Sequence, residues 1–215
     1  MTEPTVWAIV VAAGSGARFG GTKQYACLGG QTVLSLSVAA ARAACSGVVA
    51  VVPAEDVAGG VDGADRVVAG GATRSMSVRA GLAAVPADAA VVVVHDAARP
   101  LAGPELWRAA IAAVLAGADG AVCAVPVTDT LKRVDGSRVL GTVEREGLVA
   151  VQTPQAFRAA ALRAAHAGAG EATDDGALVE EAGGCVVTVP GSATNVKITH
   201  PQDLVVAEAL FRAAT

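Results

Sequence analysis

Short runs of β-branched residues alternate with alanine-rich segments, and this alternation constrains the fold more than any other feature of the chain. Several runs are apolar at consecutive positions, which is typical of parallel strands buried on both faces. The runs that predict strands are Val6–Ala12, Val48–Val52, Arg66–Ala69, Ala89–His95 and Ala121–Val127. The segments that predict helices between them are Thr32–Ala44, Thr73–Ala84 and Pro104–Ala116. We therefore predict a three-layer α/β fold, with a mostly parallel sheet and helices on both faces.

The alternation is interrupted once, at residues 129–146, where two short alternating runs flank Asp135-Gly136. Asp-Gly between such runs predicts a β-hairpin. Since an isolated hairpin is marginally stable in water, we expect this arm to pack against another subunit. The later segments predict a strand near Leu148–Gln152, helices at Phe157–Ala167 and Asp174–Ala182, a strand at Val186–Pro190 and a helix after Pro201. With no linker between them, residues 1–215 are expected to form a single domain.

Composition excludes several classes of protein. The 215 residues carry a net charge of -4, and 53% of them are hydrophobic, which argues against a disordered chain. Only 3% are aromatic, so neither charge nor base stacking favours a nucleic-acid partner. The apolar runs are too short for a membrane span, and the N-terminus lacks a basic leader. The four cysteines include no C-x-x-C pair, so a zinc site is not expected. We interpret the chain as cytoplasmic, with no membrane partner.

The loop after the first predicted strand has the composition of a phosphate cradle. It reads A-A-G-S-G-A-R-F-G-G-T-K-Q, in which glycines allow backbone N–H groups to approach an anion and Arg18 and Lys23 add positive charge. Two familiar motifs fail here: Phe19 stands where the dinucleotide fingerprint needs a glycine, and Thr22-Lys23 reverses the P-loop order. The alternative is an ordinary strand–helix turn with two surface cations.

A second motif, H-D-A-A-R-P at residues 95–100, ends another buried strand at the edge where α/β sheets bind ligands. Asp96 could hold Mg²⁺ that bridges phosphates, and Arg99 could bind a phosphate through two hydrogen bonds. Alternatively, Asp96 caps a turn and pairs with Arg99. We interpret His95 as packing at the strand end or as support behind the site.

Of four weaker motifs, three have simple structural explanations as well. G-G-A-T-R-S-M-S-V at 70–78 is either a βα turn or a base contact through Gly71 and Ser77. V-Q-T-P-Q lies at 151–155, and T-D-D-G-A-L at 173–178 could be only a helix cap with an acidic first turn. N-V-K-I-T at 195–199 places a cation after a strand, and a single lysine is usually at the surface.

These motifs, with P-V-x-D-T-L-K and T-V-x-R of the arm, occur in an order that resembles the 2-C-methyl-D-erythritol 4-phosphate cytidylyltransferase family over essentially the whole chain. The resemblance implies a Rossmann-like nucleotidyltransferase fold and transfer of CMP from CTP to methylerythritol 4-phosphate, with release of pyrophosphate, in non-mevalonate isoprenoid biosynthesis. It also implies Mg²⁺ and a homodimer joined through the arm. No second catalytic domain follows, which favours the single-function form over the fusion with the next cyclase.

The resemblance assigns roles residue by residue. Cations that stabilise the transition state or hold the attacking phosphate are implied at Arg18, Lys23, Arg145 and Lys197. Cytidine contacts are implied at Ala12, Ala13, Gly14, Gly71 and Ser77. Substrate contacts are implied at Asp96, which is also the metal ligand, and at Ala97, Arg99, Thr130, Thr153 and Thr173.

Three alternatives remain at this point. A sister enzyme, ribitol 5-phosphate cytidylyltransferase, has the same fold and chemistry, and H-D-A-A-R-P favours the first assignment. A non-catalytic CTP-binding module would not need the charged residues of the site together, namely Arg18, Lys23, Asp96, Arg145 and Lys197. The broken dinucleotide fingerprint disfavours a nicotinamide-dependent oxidoreductase. One departure concerns the base: many relatives carry an acidic residue where this chain has Ala72, so a base contact here must use backbone or water.

Overall fold

The computed structural model describes residues 4–168 and 170–214, and its centre is a seven-stranded sheet. The strands of this sheet are β1 (Val6–Val11), β4 (Gly47–Val52), β5 (Arg66–Ala69), β6 (Val91–Asp96), β7 (Gly120–Pro126), β10 (Val149–Arg158) and β11 (Val186–Pro190). Their spatial order is β11-β7-β10-β6-β1-β4-β5. Every pairing is parallel except those of β10, which runs antiparallel to both β6 and β7. The predicted mostly parallel sheet is confirmed.

Helices cover both faces of the sheet, as expected. They are α1 (Val33–Ala44), α2 (Arg74–Ala84), α3 (Pro104–Leu115), α4 (Ala159–Ala165), α5 (Asp175–Glu181) and α6 (Pro201–Ala214). Helices α1 and α3 pack on one face, where Trp107 is fully buried. Helices α2, α4 and α5 pack on the other face, around Ile9 and Phe157. The result is the predicted three-layer architecture, and α6 lies against a smaller cluster around Leu28 and Ile198.

The predicted helix Phe157–Ala167 and the predicted strand Leu148–Gln152 are corrected by the structure. Phe157 and Arg158 belong to β10, which continues through the Q-T-P-Q motif, and the helix begins only at Ala159. The cause is tertiary: β10 lies between β6 and β7, and Phe157 is completely buried there. The ladder with β7 is interrupted between Gln152 and Gln155, so this strand has no regular sequence signature.

A second sheet of two strands forms the predicted arm. Strands β8 (Leu131–Asp135) and β9 (Arg138–Val143) pair with each other and are joined through Gly136, whose φ is +55°. A further short pair, β2 (Cys27–Leu28) and β3 (Gln31–Thr32), was not predicted. Among residues 4–168 and 170–214, no helix is both long and apolar enough to span a bilayer.

Candidate functional site

A cavity of about 420 Å³ lies at the carboxyl ends of β1 and β6. It is bounded by the loop after β1, the turn before α2 and the end of β6. The predicted site residues that line it are Ala12, Ala13, Gly14, Lys23, Gly71, Ser77, Asp96 and Lys197. The two glycine-containing loops and the cations predicted from separate motifs therefore meet at one place, which we call the first cavity.

Two close approaches set the shape of the first cavity. Gly16 has a φ of +66°, and a Cβ there would lie 1.8 Å from the carbonyl oxygen of Gly21. The carbonyl of Gly16 in turn accepts from the N–H groups of Phe19 and Gly20, which closes the loop. Gly70 comes so near to the loop after β1 that a Cβ would lie 2.1 Å from that of Ala13. The glycines are therefore required by backbone geometry, and each keeps one wall of the cavity in place.

Ser77 fixes the opposite wall through hydrogen bonds to the turn before α2. Its hydroxyl donates to the carbonyl of Thr73 at 3.0 Å and accepts from the N–H of Gly71 at 3.1 Å. The side chain of Thr73 caps α2 by accepting from the N–H of Met76. The turn before α2 is thus held by its own side chains, and Ala72 at its apex is exposed.

A second cavity, of about 400 Å³, lies between the end of β6, the first half of β10 and the start of α5. The predicted site residues that line it are Asp96, Arg99, Thr153, Thr173 and Lys197. Asn195 supports it from below, since its amide donates to the carbonyl of Thr153 at 2.9 Å and its own carbonyl accepts from Arg99 at 2.7 Å. Three cations and three carboxylates line this cavity together with the hydroxyls of Thr153 and Thr173, so it suits a ligand that carries both an anionic group and hydroxyl groups.

Three charged side chains separate the two cavities and line both of them: Arg74, Asp96 and Lys197. We call the place where they meet the junction. Asp96 Oδ1 lies 3.1 Å from Arg74 Nε, and Asp96 Oδ2 lies 2.6 Å from Lys197 Nζ. Burial alone would raise the pKa of Asp96, but Arg74 and Lys197 hold it well below its ordinary value. The Asp96 carboxylate is therefore ionised at the junction, with a cation on either side.

Arg74 is anchored from behind by a second buried carboxylate. Its Nη1 lies 2.8 Å from Oδ2 of Asp175, and the other oxygen of Asp175 lies 2.9 Å from Nε2 of His166. Asp175 is fully buried, and both carboxylates raise the pKa of the Arg74 guanidinium although burial opposes this. Arg74 therefore remains charged and holds one orientation between two acids.

Lys23 is the cation of the first loop that reaches the junction. Its Nζ donates to the carbonyl of Ile198 at 2.9 Å. Burial, with the neighbouring Lys197, lowers the pKa of Lys23 despite the attraction of Asp96. A negatively charged ligand in the first cavity would relieve this repulsion, so the arrangement favours binding of an anion.

Four predicted site residues lie outside both cavities as the described residues form them. Arg18 is exposed in the first loop, and its charge acts on Lys23. The side chain of Ala97 is buried in the core, 1% exposed, so the adjacent Ala98 faces the first cavity instead. Thr130 and Arg145 are exposed on the arm, where Arg145 donates to the carbonyl of Thr128.

Sequence reasoning gave no role to Arg74, Asp175, Asn195 or Gln152. Arg74 is the arginine of G-G-x-x-R, so the motif contained it without revealing its partners. Asp175 was interpreted as part of an acidic first turn, and Asp174 is indeed the cap, since it accepts from the N–H of Ala177. Nothing in the local sequence indicates that Arg74 would join Asp96 to Asp175, because these contacts connect distant segments of the chain.

Among the described residues, no group of three or more His, Cys, Asp or Glu side chains could enclose a metal ion. Asp96 is the one carboxylate common to both cavities. Each of its oxygens accepts one bond and keeps a further lone pair. A cation that needs few protein ligands, such as Mg²⁺, is compatible with this single carboxylate.

Comparison with known proteins agrees with this geometry. The family model described as 2-C-methyl-D-erythritol 4-phosphate cytidylyltransferase (IspD) matches residues 6–213. The cytidylyltransferase of that name from Frankia casuarinae is 48% identical, over 98% of this chain and 83% of the relative. The bifunctional enzyme IspD/IspF of Clavibacter michiganensis is 46% identical over 96% of this chain, which spans only 54% of that longer protein.

A solved structure supports the same relationship. The crystal structure of 2-C-methyl-D-erythritol 4-phosphate cytidylyltransferase from Thermus thermophilus superposes with a TM-score of 0.81 at 38% identity, covering 95% of this chain and 98% of the other. The family match extends over nearly all of the described residues, including every element that lines the two cavities. The chain therefore belongs to the 2-C-methyl-D-erythritol 4-phosphate cytidylyltransferase (IspD) family.

Proposed function

We propose that this chain transfers CMP from CTP to 2-C-methyl-D-erythritol 4-phosphate, giving 4-diphosphocytidyl-2-C-methyl-D-erythritol and pyrophosphate, in the cytoplasm. The observation that carries this proposal is the pair of cavities that meet at Arg74, Asp96 and Lys197. The first cavity, with its backbone loops and Lys23, suits a nucleoside triphosphate. The second, with Arg99, Thr153 and Thr173, suits a phosphorylated polyol. Membership of the family supports both assignments.

The reaction joins two anions, so the chain must overcome charge repulsion and align the reacting atoms. A phosphate oxygen of the polyol phosphate attacks the α-phosphorus of CTP in line with the departing pyrophosphate. This oxygen is already ionised near neutral pH, so no general base is required. Lys23, with Arg18, stabilises the negative charge that develops on the α-phosphate and pyrophosphate. Lys197 binds the attacking phosphate at the junction, where proximity supplies much of the rate.

We propose Asp96 as the protein ligand for Mg²⁺. Its ionised carboxylate lies between the cavities, and Mg²⁺ commonly binds through one or two carboxylates, substrate phosphates and water. Once bound, the ion would neutralise part of the phosphate charge. When no metal ion is bound, Lys197, whose Nζ lies 2.6 Å from Asp96, would hold the carboxylate in position.

We further propose one domain over residues 1–215, of which residues 1–3, 169 and 215 lie outside the described part, with a dimerisation arm at 129–146. On the arm, Val134, Val139 and Leu140 are each more than half exposed, which is unfavourable for an isolated subunit in water. Since Arg145 lies outside both cavities of its own chain, the arm would deliver it to the second cavity of the partner.

Arg145→Ala is expected to raise the KM for the polyol phosphate far more than the KM for CTP. The arginine would contact only the attacking phosphate, and loss of a charge-assisted hydrogen bond corresponds to roughly 10- to 100-fold in affinity. Steady-state kinetics with each substrate varied in turn would measure this. Equal changes in both KM values would contradict the assignment. Arg138→Ala, on the same arm, is the matched control.

Gly16→Ala is expected to weaken CTP binding by roughly tenfold or more, because the left-handed conformation alone costs about 1–2 kcal/mol. The added Cβ would also collide with the carbonyl of Gly21. The matched control is Gly21→Ala in the same loop, where a Cβ meets nothing within 4 Å. Calorimetric titration with CTP would compare the two variants, and equal affinities would refute the role of this loop.

The direct test of the function is ³¹P NMR of the purified chain with CTP, Mg²⁺ and methylerythritol 4-phosphate. The expected result is a new diphosphate diester and free pyrophosphate in equal amounts, abolished by a chelator. CTP that binds without either product would overturn the transferase assignment in favour of a CTP-binding module.

A further inference from the structure

A buried histidine outside the proposed catalytic set connects several parts of the second cavity. His95 is fully buried at the end of β6, with its ring centroid 4.8 Å from that of Trp107. Its Nε2 lies 3.1 Å from the carbonyl oxygen of Arg99, and its Nδ1 lies 3.2 Å from Oγ1 of Thr153. As the described residues form the cavities, Arg99 and Thr153 line the second and not the first.

The chemistry of these partners determines the tautomer of the ring. A backbone carbonyl can only accept, so Nε2 of His95 must carry the proton that bonds to the Arg99 oxygen. In the neutral ring Nδ1 is then an acceptor, and the hydroxyl of Thr153 must donate to it. The N–H of Asp96 donates to the same hydroxyl oxygen at 3.0 Å. The hydrogen bonds therefore run in one direction, from the Asp96 amide through Thr153 and His95 to Arg99.

This direction has a consequence for the ligand. Because the only proton of the Thr153 hydroxyl is used by His95, the remaining capacity of this oxygen is that of an acceptor. An acceptor repels the oxygens of an ionised phosphate and attracts a ligand O–H group. The backbone of Thr153 is held beside the cavity as well, since its carbonyl accepts from the Asn195 side-chain amide at 2.9 Å.

We propose that His95 is a positioning residue of the second cavity: it sets the distance between Thr153 and the 96–99 turn, and it commits Thr153 to accept from a hydroxyl group of the polyol phosphate. This rests on the proposed function, in which the second cavity holds that substrate. The phosphate of the substrate is then left to Arg99, Lys197 and the Arg145 that the arm supplies, so the hydrogen bonds behind the cavity fix which end of the substrate lies at Thr153. If His95 only packed against Trp107, its ring would have no need to be protonated at one particular nitrogen.

The tautomer is tested in the wild-type chain by ¹⁵N NMR of the histidine side chains at neutral pH without ligands, with the His95 signals identified by their absence in His95→Gln. The expected spectrum has a protonated Nε2 and a non-protonated Nδ1. A protonated Nδ1 with a bare Nε2 would overturn the proposal. Since no turnover is measured, this result is independent of whether the chain transfers CMP.

The positioning role is tested by His95→Asn, which keeps a polar group near Nδ1 but lacks the donor that reaches Arg99. The KM for the polyol phosphate is expected to rise about tenfold, as for one lost hydrogen bond, with the KM for CTP within about twofold. Trp107→Phe is the control, because it keeps an aromatic ring against His95 and loses only its own bond to Ala102. It is expected to lower the melting temperature and change neither KM. Unchanged KM values in His95→Asn, or equal rises in both, would overturn the proposal.

Discussion

Lys23→Ala is expected to lower kcat by roughly 10²- to 10³-fold, the effect of removing one donor to a developing oxyanion. Lys23 reaches the junction from the first loop, and its charge is poorly compensated there because Lys197 is a neighbour. The charge is therefore available to the reacting phosphates, and most of its stabilisation should appear only as negative charge moves onto the leaving pyrophosphate. The KM for CTP should change much less than kcat.

The control for this experiment must separate the charge at Lys23 from the packing of its stem. Lys23→Met keeps most of the stem and removes the ammonium group, so it should lose nearly as much kcat as the alanine variant. Single-turnover measurements of both variants, with CTP bound beforehand, isolate the chemical step. An unchanged kcat in either variant would refute the role of Lys23 in the transition state.

Arg74→Met is expected to lower the free energy of unfolding by about 3–5 kcal/mol, the effect of leaving a buried charge without its partner. The variant would leave Asp175, whose side chain is 1% exposed, without its guanidinium partner although His166 still lies beside it, and would deprive Asp96 of one of its two cations. Chemical denaturation at pH 7 measures the loss. Arg158→Met is the matched control, because its partner Asp119 is 35% exposed and its removal should cost within about 1 kcal/mol. Equal losses in the two variants would contradict the buried network.

The stabilisation that the Asp96–Arg74 pair gives to the folded chain depends on pH in a predictable way. The pKa of Asp96 in the folded chain lies below that of an unfolded aspartate, so its stabilisation is fully present above about pH 4 and is lost as the pH falls below that. Since Arg74 is one cause of the lowered pKa, the difference in stability between wild type and Arg74→Met should be smaller at pH 3 than at pH 7. A difference that grows on acidification would be inconsistent with this account.

The elements that carry their own signal could be predicted from sequence. The buried runs before Ala12 and Asp96, the Asp-Gly turn of the arm and the proline at the start of α3 are all local patterns, and each lies where expected. Strand β10 could not be predicted in full, because its apolar residues are divided by Q-T-P-Q and its length is set by pairing with β6 and β7. Tertiary pairing overrides local preference there.

The candidate site likewise contains residues that a local pattern predicts and residues whose role depends on tertiary contacts. Glycines and cations after strands indicated the first cavity, because the sheet brings the ends of parallel strands to one edge. The role of Arg74 depends on Asp96 and Asp175, which lie 22 and 101 positions away in the chain. The role of His95 depends on a hydroxyl 58 positions away. Such contacts follow only from the folded arrangement. The local motifs contain these residues but do not indicate which partners they bind.

The second cavity is proposed to select methylerythritol 4-phosphate as the acceptor of CMP. The most direct measurement is the rate of pyrophosphate release with CTP and Mg²⁺, compared between methylerythritol 4-phosphate and ribitol 5-phosphate at equal concentrations. We expect rapid release with methylerythritol 4-phosphate and release little above background with ribitol 5-phosphate. Rapid release with ribitol 5-phosphate alone would contradict it, leaving the fold and the chemistry of the junction in place but assigning a different substrate.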